Sequence, residues 1–315
     1  MDTLLNRLLS TTIDIVQVTS ICSTVATGFV VITGISLLST RRQITNKVSF
    51  KLALFVAFYE LVFHIANIVN THVLVYSMAP TISCRVIRSV ANFSKLMAVF
   101  TTATIAYNLD MILIRQRNEV KRAQLWYVPF ALSIALVITL ICSIYSIATG
   151  VCWLADFALN PSAGWIQWLS SYLWMLLGLV YSLYVVIRVI RLLGRHETDM
   201  HMTMEKYGRT ISQKLRRVSF RITMYVVVPI LTFLPSILSF TIQTIGYSVA
   251  SPVYKKYIST LDAIVWIIAE LLASSTGVLT ALVFVFDPVV TAALVDFLEY
   301  AKDRLKCNRG QTNSV

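Results

Sequence analysis

The sequence predicts an all-α fold, a seven-transmembrane-helix bundle followed by an amphipathic interfacial eighth helix. Three observations predict it. Of 315 residues, 57% are hydrophobic and only 13% charged, about half the charged share of a soluble domain, and mean hydropathy is +0.73. Seven mainly apolar runs lie at 14–38, 48–75, 84–114, 125–148, 166–190, 218–246 and 260–287, each long enough for a bilayer core of about 30 Å. Basic residues gather on alternate connections between these runs. A net charge of +12 in a soluble chain would point to nucleic acid; here it reports topology, and no nucleic-acid partner is expected.

The first run begins near Asp14 and lacks the charged flank and small-residue cleavage site of a signal peptide. It reads as a retained helix after a short outer N-terminus, residues 1–13. Seven spans put the termini on opposite sides. The side holding connections 1, 3 and 5 and the tail carries 21 Lys and Arg; the other carries 5 (Arg7, Arg85, Arg88, Lys255 and Lys256), with Lys95 left inside the membrane. The C-terminus is therefore expected in the cytoplasm and the N-terminus outside.

Within the second run, Glu60, His64, Asn67 and Thr71 form one helical stripe. In the third, Lys95 stands about 16 Å from Cys84; Glu60 and Glu270 lie equally deep from the ends of their own runs, at 1.5 Å per residue. An unpaired charge at that depth costs roughly 3 kcal/mol, so Lys95 is expected to pair with Glu60 or Glu270. The cluster Glu60, His64, Asn67, Lys95 and Glu270 then has two readings: the floor of a ligand pocket or ion-linked switch, and a buried pair that only fixes helix register.

The third run ends in "AYNLDMILIRQR", residues 106–117. Asn108 shares a face with Arg115 and Asp110 with Arg117, while Asn108 and Asp110 point about 200° apart. Two polar faces toward two neighbours would suit an inner lock released by movement of the sixth helix. The plainer reading makes the arginines headgroup anchors and exposes Asp110 near the interface.

Cys84 and Cys152, the latter in "GVCWLADF", both fall on the outer side, where disulfides persist. A bond between them would tie the second outer loop over the bundle mouth; the alternative is two free thiols. Cys22 and Cys142 fall inside spans and are expected to be buried and inert. Trp153, Trp165, Trp168 and Tyr172 crowd the same mouth as interfacial aromatics.

The third inner loop, about 191–217, is polar and basic. Its "RRVS" makes Ser219 a candidate phosphorylation site beside Arg216 and Arg217; the alternative places Ser219 in the sixth helix. Pro229 and Pro235 are expected to bend that helix and serve as its hinge. In the seventh run, Glu270, Ser274, Gly277 and Ala281 share a face, suggesting close packing around the carboxylate. After "FDPVV", with Asp287 and Pro288, residues 288–306 carry Val290, Leu294, Phe297, Leu298, Ala301 and Leu305 at helical spacing, an amphipathic helix for the inner interface. Cys307 opens the tail, 307–315, as a candidate palmitoylation site.

With "IAYNLDMILI" at the end of the third run, "MYVVVPILTFLPSIL" (224–238) and "CW" at 152–153, the chain resembles a G-protein-coupled receptor of the cyclic-AMP-receptor-like and fungal glucose-sensor-like group. The Asn-Leu pair at 108–109 stands where rhodopsin-like receptors carry Asp-Arg-Tyr, and no tyrosine follows Pro288 at the end of "FDPVV". The resemblance implies transduction of an extracellular small-molecule or nutrient signal to a heterotrimeric G protein through its Gα subunit. It implies coupling through Asn108, Asp110, Arg115, Arg117, Arg216, Arg217, Asp287 and Pro288. Membrane lipids are the other expected partner. No catalytic, cofactor or metal site is expected, since His196 and His201 lack a cysteine ligand nearby, and the seventh run lacks a lysine for retinal. The rival class is a seven-helix transporter of a small polar solute.

Overall fold

Apolar runs of this length become helices because, without water, each backbone N–H and C=O has to bond within its own segment. The computed structural model describes residues 2–40, 48–76, 82–114, 125–149, 161–203, 207–249, 264–286, 290, 291 and 295. Side chains are described for 11–39, 50–70, 82–112, 125–149, 164–192, 194, 223–245, 264–286, 290, 291 and 295. Among the described residues the chain is all-α. The helices are α1 (Asp2–Thr40), α2 (Val48–Tyr76), α3 (Ile82–Leu109, continuing as a π-helical turn, Asp110–Ile114) and α4 (Tyr127–Thr149). Then come α5 (Pro161–Gln167, a π-helical turn Trp168–Tyr172, and Leu173–Thr203), α6 (Tyr207–Val249) and α7 (264–274 and Thr276–Val285).

Six of these are long and apolar enough to cross a membrane, over Thr11–Ser39, Phe50–Asn70, Tyr127–Thr149, Gly164–Leu192, Thr223–Ile245 and Ile264–Val285. The third predicted run, α3, has 28 residues, about 42 Å at 1.5 Å per residue. Arg85, Arg88 and Lys95 make its first half too polar to join those six. It packs against α2, α4, α5 and α6, so its polar face meets protein. Leu96, Met97, Val99 and Ile105 on α3 lie within 2% of full burial, in one core with Val226, Phe233 and Ile237 of α6.

The outer faces show why these helices suit lipid. On α1, Val18, Val25 and Ile32 are 60%, 68% and 68% exposed, while Ser20, Ser23 and Thr27 are buried at 2%, 0% and 0%. A soluble helix has the opposite arrangement; polar groups turned inward and aliphatic ones outward fit a bilayer. Cys22, expected to be buried, lies on the exposed face instead; Cys142 is buried against Ser170 and Ser171.

α1 packs on α2 and on Thr276–Val285 of α7. Ser23 donates to the Ser274 carbonyl, and α7 breaks its regular ladder at Ser275, whose N–H is shared between the Leu271 and Leu272 carbonyls. Back-bonding hydroxyls of Ser274, Ser275 and Thr276 compete for carbonyls that the ladder would use. The small-residue stripe is thereby divided: Gly277 lies against Ser23 and Thr27 of α1, while Glu270 looks elsewhere.

The segment read as the third inner loop is helical over 191–203 and 207–217, in the extensions of α5 and α6, where Leu, Met, Lys, Arg and Gln favour helix. Arg216, Arg217 and Ser219 are on α6, their side chains outside the described residues. α6 runs through both Pro229 and Pro235, each of which removes one ladder bond. Of the residues expected to form the eighth helix, 290, 291 and 295 are described and helical; Val290 is buried with Val30, Phe50 and Phe284. The other expected residues of that helix, and Arg115, Arg117, Cys152, Asp287, Pro288 and Cys307, lie outside the described residues.

Candidate functional site

A polar cavity opens among α2, α3, α5, α6 and α7, with about 90 Å³ open to the centres of water-sized groups. Each helix supplies it at helical spacing, which brings polar residues far apart in sequence to one wall. From α3 come Arg88, Asn92 and Lys95; from α2, Phe63 and Asn67; from α7, Trp266 and Glu270. α5 adds Gln167 and Tyr172, and α6 adds Ser236, Ser239, Phe240 and Gln243.

The walls are braced across helices. Tyr172 stacks on Phe240 with ring centroids 4.1 Å apart, Trp168 Nε1 donates to Thr241 Oγ1 at 2.8 Å, and Asn92 Nδ2 donates to Ser171 Oγ at 3.1 Å. The Ser236 hydroxyl reaches the Ala269 carbonyl at 3.4 Å. Trp168 is thus a strut between α5 and α6 and Tyr172 a cavity wall, where the sequence suggested membrane-belt residues.

Lys95 Nζ sits over the rings of Phe63 and Phe233, 5.1 and 5.8 Å from their centroids, close enough for cation–π attraction. Glu270 is the carboxylate whose field reaches it, and it reaches Arg88 as well. Among the described residues no ion pair joins any two of these three. Arg88 is the residue that sequence reasoning missed: counting it with the outer charges hid that it lies seven positions from Lys95, on the same face of α3.

Glu60 and His64 stand apart from the cavity lining. Both are fully buried on α2, and among the described residues neither carboxyl oxygen and neither ring nitrogen has a hydrogen-bond partner. Thr280 of α7 faces Glu60 without closing a bond, and Lys95 is the charge that His64 faces. The structure therefore brings Asn67, Lys95 and Glu270 to one cavity and leaves Glu60 and His64 in the packed layer beside it.

A third polar centre lies at the other end of α3. Asn108 and Asp110 are both buried, at 2% and 3% exposure, so Asp110 is not exposed at an interface. Asp110 forms an ion pair with Arg188 of α5 at 3.5 Å, and the Arg188 guanidinium lies 5.6 Å from the Tyr184 ring centroid. The π-helical turn starting at Asp110 widens the helix through i→i+5 bonding, so a count of 100° per residue toward Arg117 does not carry through it.

Cys84 is disulfide-bonded, and its partner lies outside the described residues. Among the described residues no group of three His, Cys, Asp or Glu side chains is gathered to hold a metal. The sequence matches no protein-family model and no curated protein.

Proposed function

We propose that the chain is a seven-helix G-protein-coupled receptor of the plasma membrane, carrying a small-molecule or nutrient signal to a heterotrimeric G protein. One observation carries this reading: a single helix, α3, joins the polar cavity at Lys95 to the Asp110–Arg188 ion pair. Fifteen residues separate the two, about 22 Å along the axis. Ligand in the cavity bears on α3 and α6 together, and a shift of α3 against α5 is what would part Asp110 from Arg188. That is a two-state element with distinct sites at its ends.

The charge distribution supports an orientation with the Asp110 end, the extensions of α5 and α6, and the C-terminus in the cytoplasm. Arg216, Arg217 and Ser219 then belong to the face that meets Gα. The eighth helix lies along the inner leaflet. Cys84 pairs with Cys152 on the outside in this reading. Cys84→Ala and Cys152→Ala are then expected to lower surface expression equally, with the double variant no worse than either; additive losses would overturn the pairing.

The test is a panel of sugars, amino acids, organic acids and nucleotides applied to cells expressing the chain, with Gα dissociation from Gβγ as readout. Asp110→Asn is expected to raise basal dissociation several-fold, because Arg188, whose side chain is 41% exposed, can turn to water at little cost. Arg188→Gln added to it should change little further. No dissociation with any Gα across the panel, together with unchanged basal release in Asp110→Asn, sinks the receptor reading.

A further inference from the structure

We propose that the cavity takes a small organic monoanion, a carboxylate carrying a hydroxyl or keto group, with the carboxylate received by Arg88 and Lys95. This rests on the reading of the cavity as the ligand site.

The first argument is charge. Among the described residues, Arg88 and Lys95 bring two positive charges to the cavity, and Glu270 is the one acidic residue in its lining. The rest of the described lining is neutral: the amides of Asn67, Asn92, Gln167 and Gln243, the hydroxyls of Ser236, Ser239 and Tyr172, and apolar groups. Among these residues one positive charge is left over, and one anionic group balances it. A zwitterion leaves the surplus in place, and a dianion reverses it.

The second argument is geometry. Lys95 is held by ring faces, not by an oxygen, so its N–H donors point to no carboxylate within ion-pair distance among the described residues. A guanidinium offers carboxylate a two-bond fork. The two cations stand seven residues apart, about 10 Å along α3, on the face that looks across at Glu270. The amides and hydroxyls opposite suit a second, uncharged polar group.

The third argument is size. With about 90 Å³ open to the centres of water-sized groups, the cavity has room for more than a single water. A small acid of a few carbons fits that space.

An isosteric series tests the inference. The purified full-length chain in nanodiscs is heated with L-lactate, pyruvate, L-alanine and L-lactamide at matched ionic strength, with inorganic phosphate and chloride as further arms. Lactate or pyruvate should raise the unfolding temperature saturably. Alanine, which exchanges hydroxyl for ammonium, and lactamide, which lacks the charge, should require at least tenfold higher concentration. Lys95→Met, whose cavity stays neutral with Arg88 against Glu270, should weaken the response to the monoanions tenfold or more. Equal stabilisation by lactamide or alanine, a stronger response to phosphate than to either carboxylate, no response to either acid, or an undiminished response in Lys95→Met overturns the proposal. Its failure is separable from failure of the receptor reading, because a monoanion that stabilises the chain without releasing Gα leaves the cavity chemistry standing and removes the transduction.

Discussion

Glu270→Gln is expected to cost more folded protein than Lys95→Met, although both remove one charge from the same cavity. With two cations and one carboxylate among the described residues of the lining, losing Glu270 leaves Arg88 and Lys95 uncompensated, whereas losing Lys95 leaves Arg88 balanced by Glu270. Removing one partner of a fully buried pair costs about 3–5 kcal/mol. The polar lining and part-exposure of these side chains bring the expected cost of Glu270→Gln to about 2 kcal/mol. The double variant Glu270→Gln/Lys95→Met returns the cavity to its original net charge and should recover most of that loss. Thermal unfolding of detergent-solubilised protein gives the ranking. If Lys95→Met proves as damaging as Glu270→Gln, charge balance is not what holds this cavity together.

Gly277→Val is expected to prevent most of the chain from reaching a folded state. A Cβ at this position would lie 2.7 Å from the Ser23 carbonyl oxygen, 2.8 Å from the Ser23 Cβ and 2.9 Å from the Thr27 Cγ2. Two of those atoms belong to the α1 backbone or are fixed directly to it, so α1 and α7 would have to separate. Overpacking of this kind costs about 1–3 kcal/mol for a few extra carbons, with the Ser23–Ser274 hydrogen bond lost in addition at about 1 kcal/mol. Gly277→Ala should show part of the effect. Gly28→Ala on α1, where an added Cβ meets nothing within 4 Å, should leave unfolding unchanged or slightly improve it, since glycine is the poorer helix former. Comparable losses at Gly28 and Gly277 would mean that flexibility, not close approach, decides the outcome.

Helix positions were legible because a membrane span announces itself by length and apolarity alone: the runs at 48–75 and 125–148 reappear as α2 and α4. The polar third run was also legible, though its physical reason is packing on four sides, not lipid contact. Partners across helices were less so. Lys95 stood out as a costly residue within a span and Asp110 as a polar residue at its inner end, yet Arg188, which pairs with Asp110, and Arg88, which shares the cavity with Lys95, looked like ordinary flanking charges near the ends of their runs. Depth along a helix can be counted from sequence; which face meets which neighbour depends on helix rotation, and on a π-helical turn that no apolar periodicity marks. The break at Ser275 escaped for a similar reason. Ser, Ser and Thr in succession are unremarkable in a span, and their hydroxyls displace the ladder only where α1 presses close.

The length of α6 has a mechanical consequence. The helix begins at Tyr207, 22 residues before Pro229, which makes an arm of about 33 Å. A rotation of about 10° about Pro229 would sweep the tip sideways by about 6 Å, while side chains one turn from the pivot, some 5 Å away, would shift by less than about 1 Å. The same proportion divides force: a load at the tip is felt near the pivot multiplied several-fold. A long arm on a short fulcrum trades small, tightly packed displacements at one end for large ones at the other.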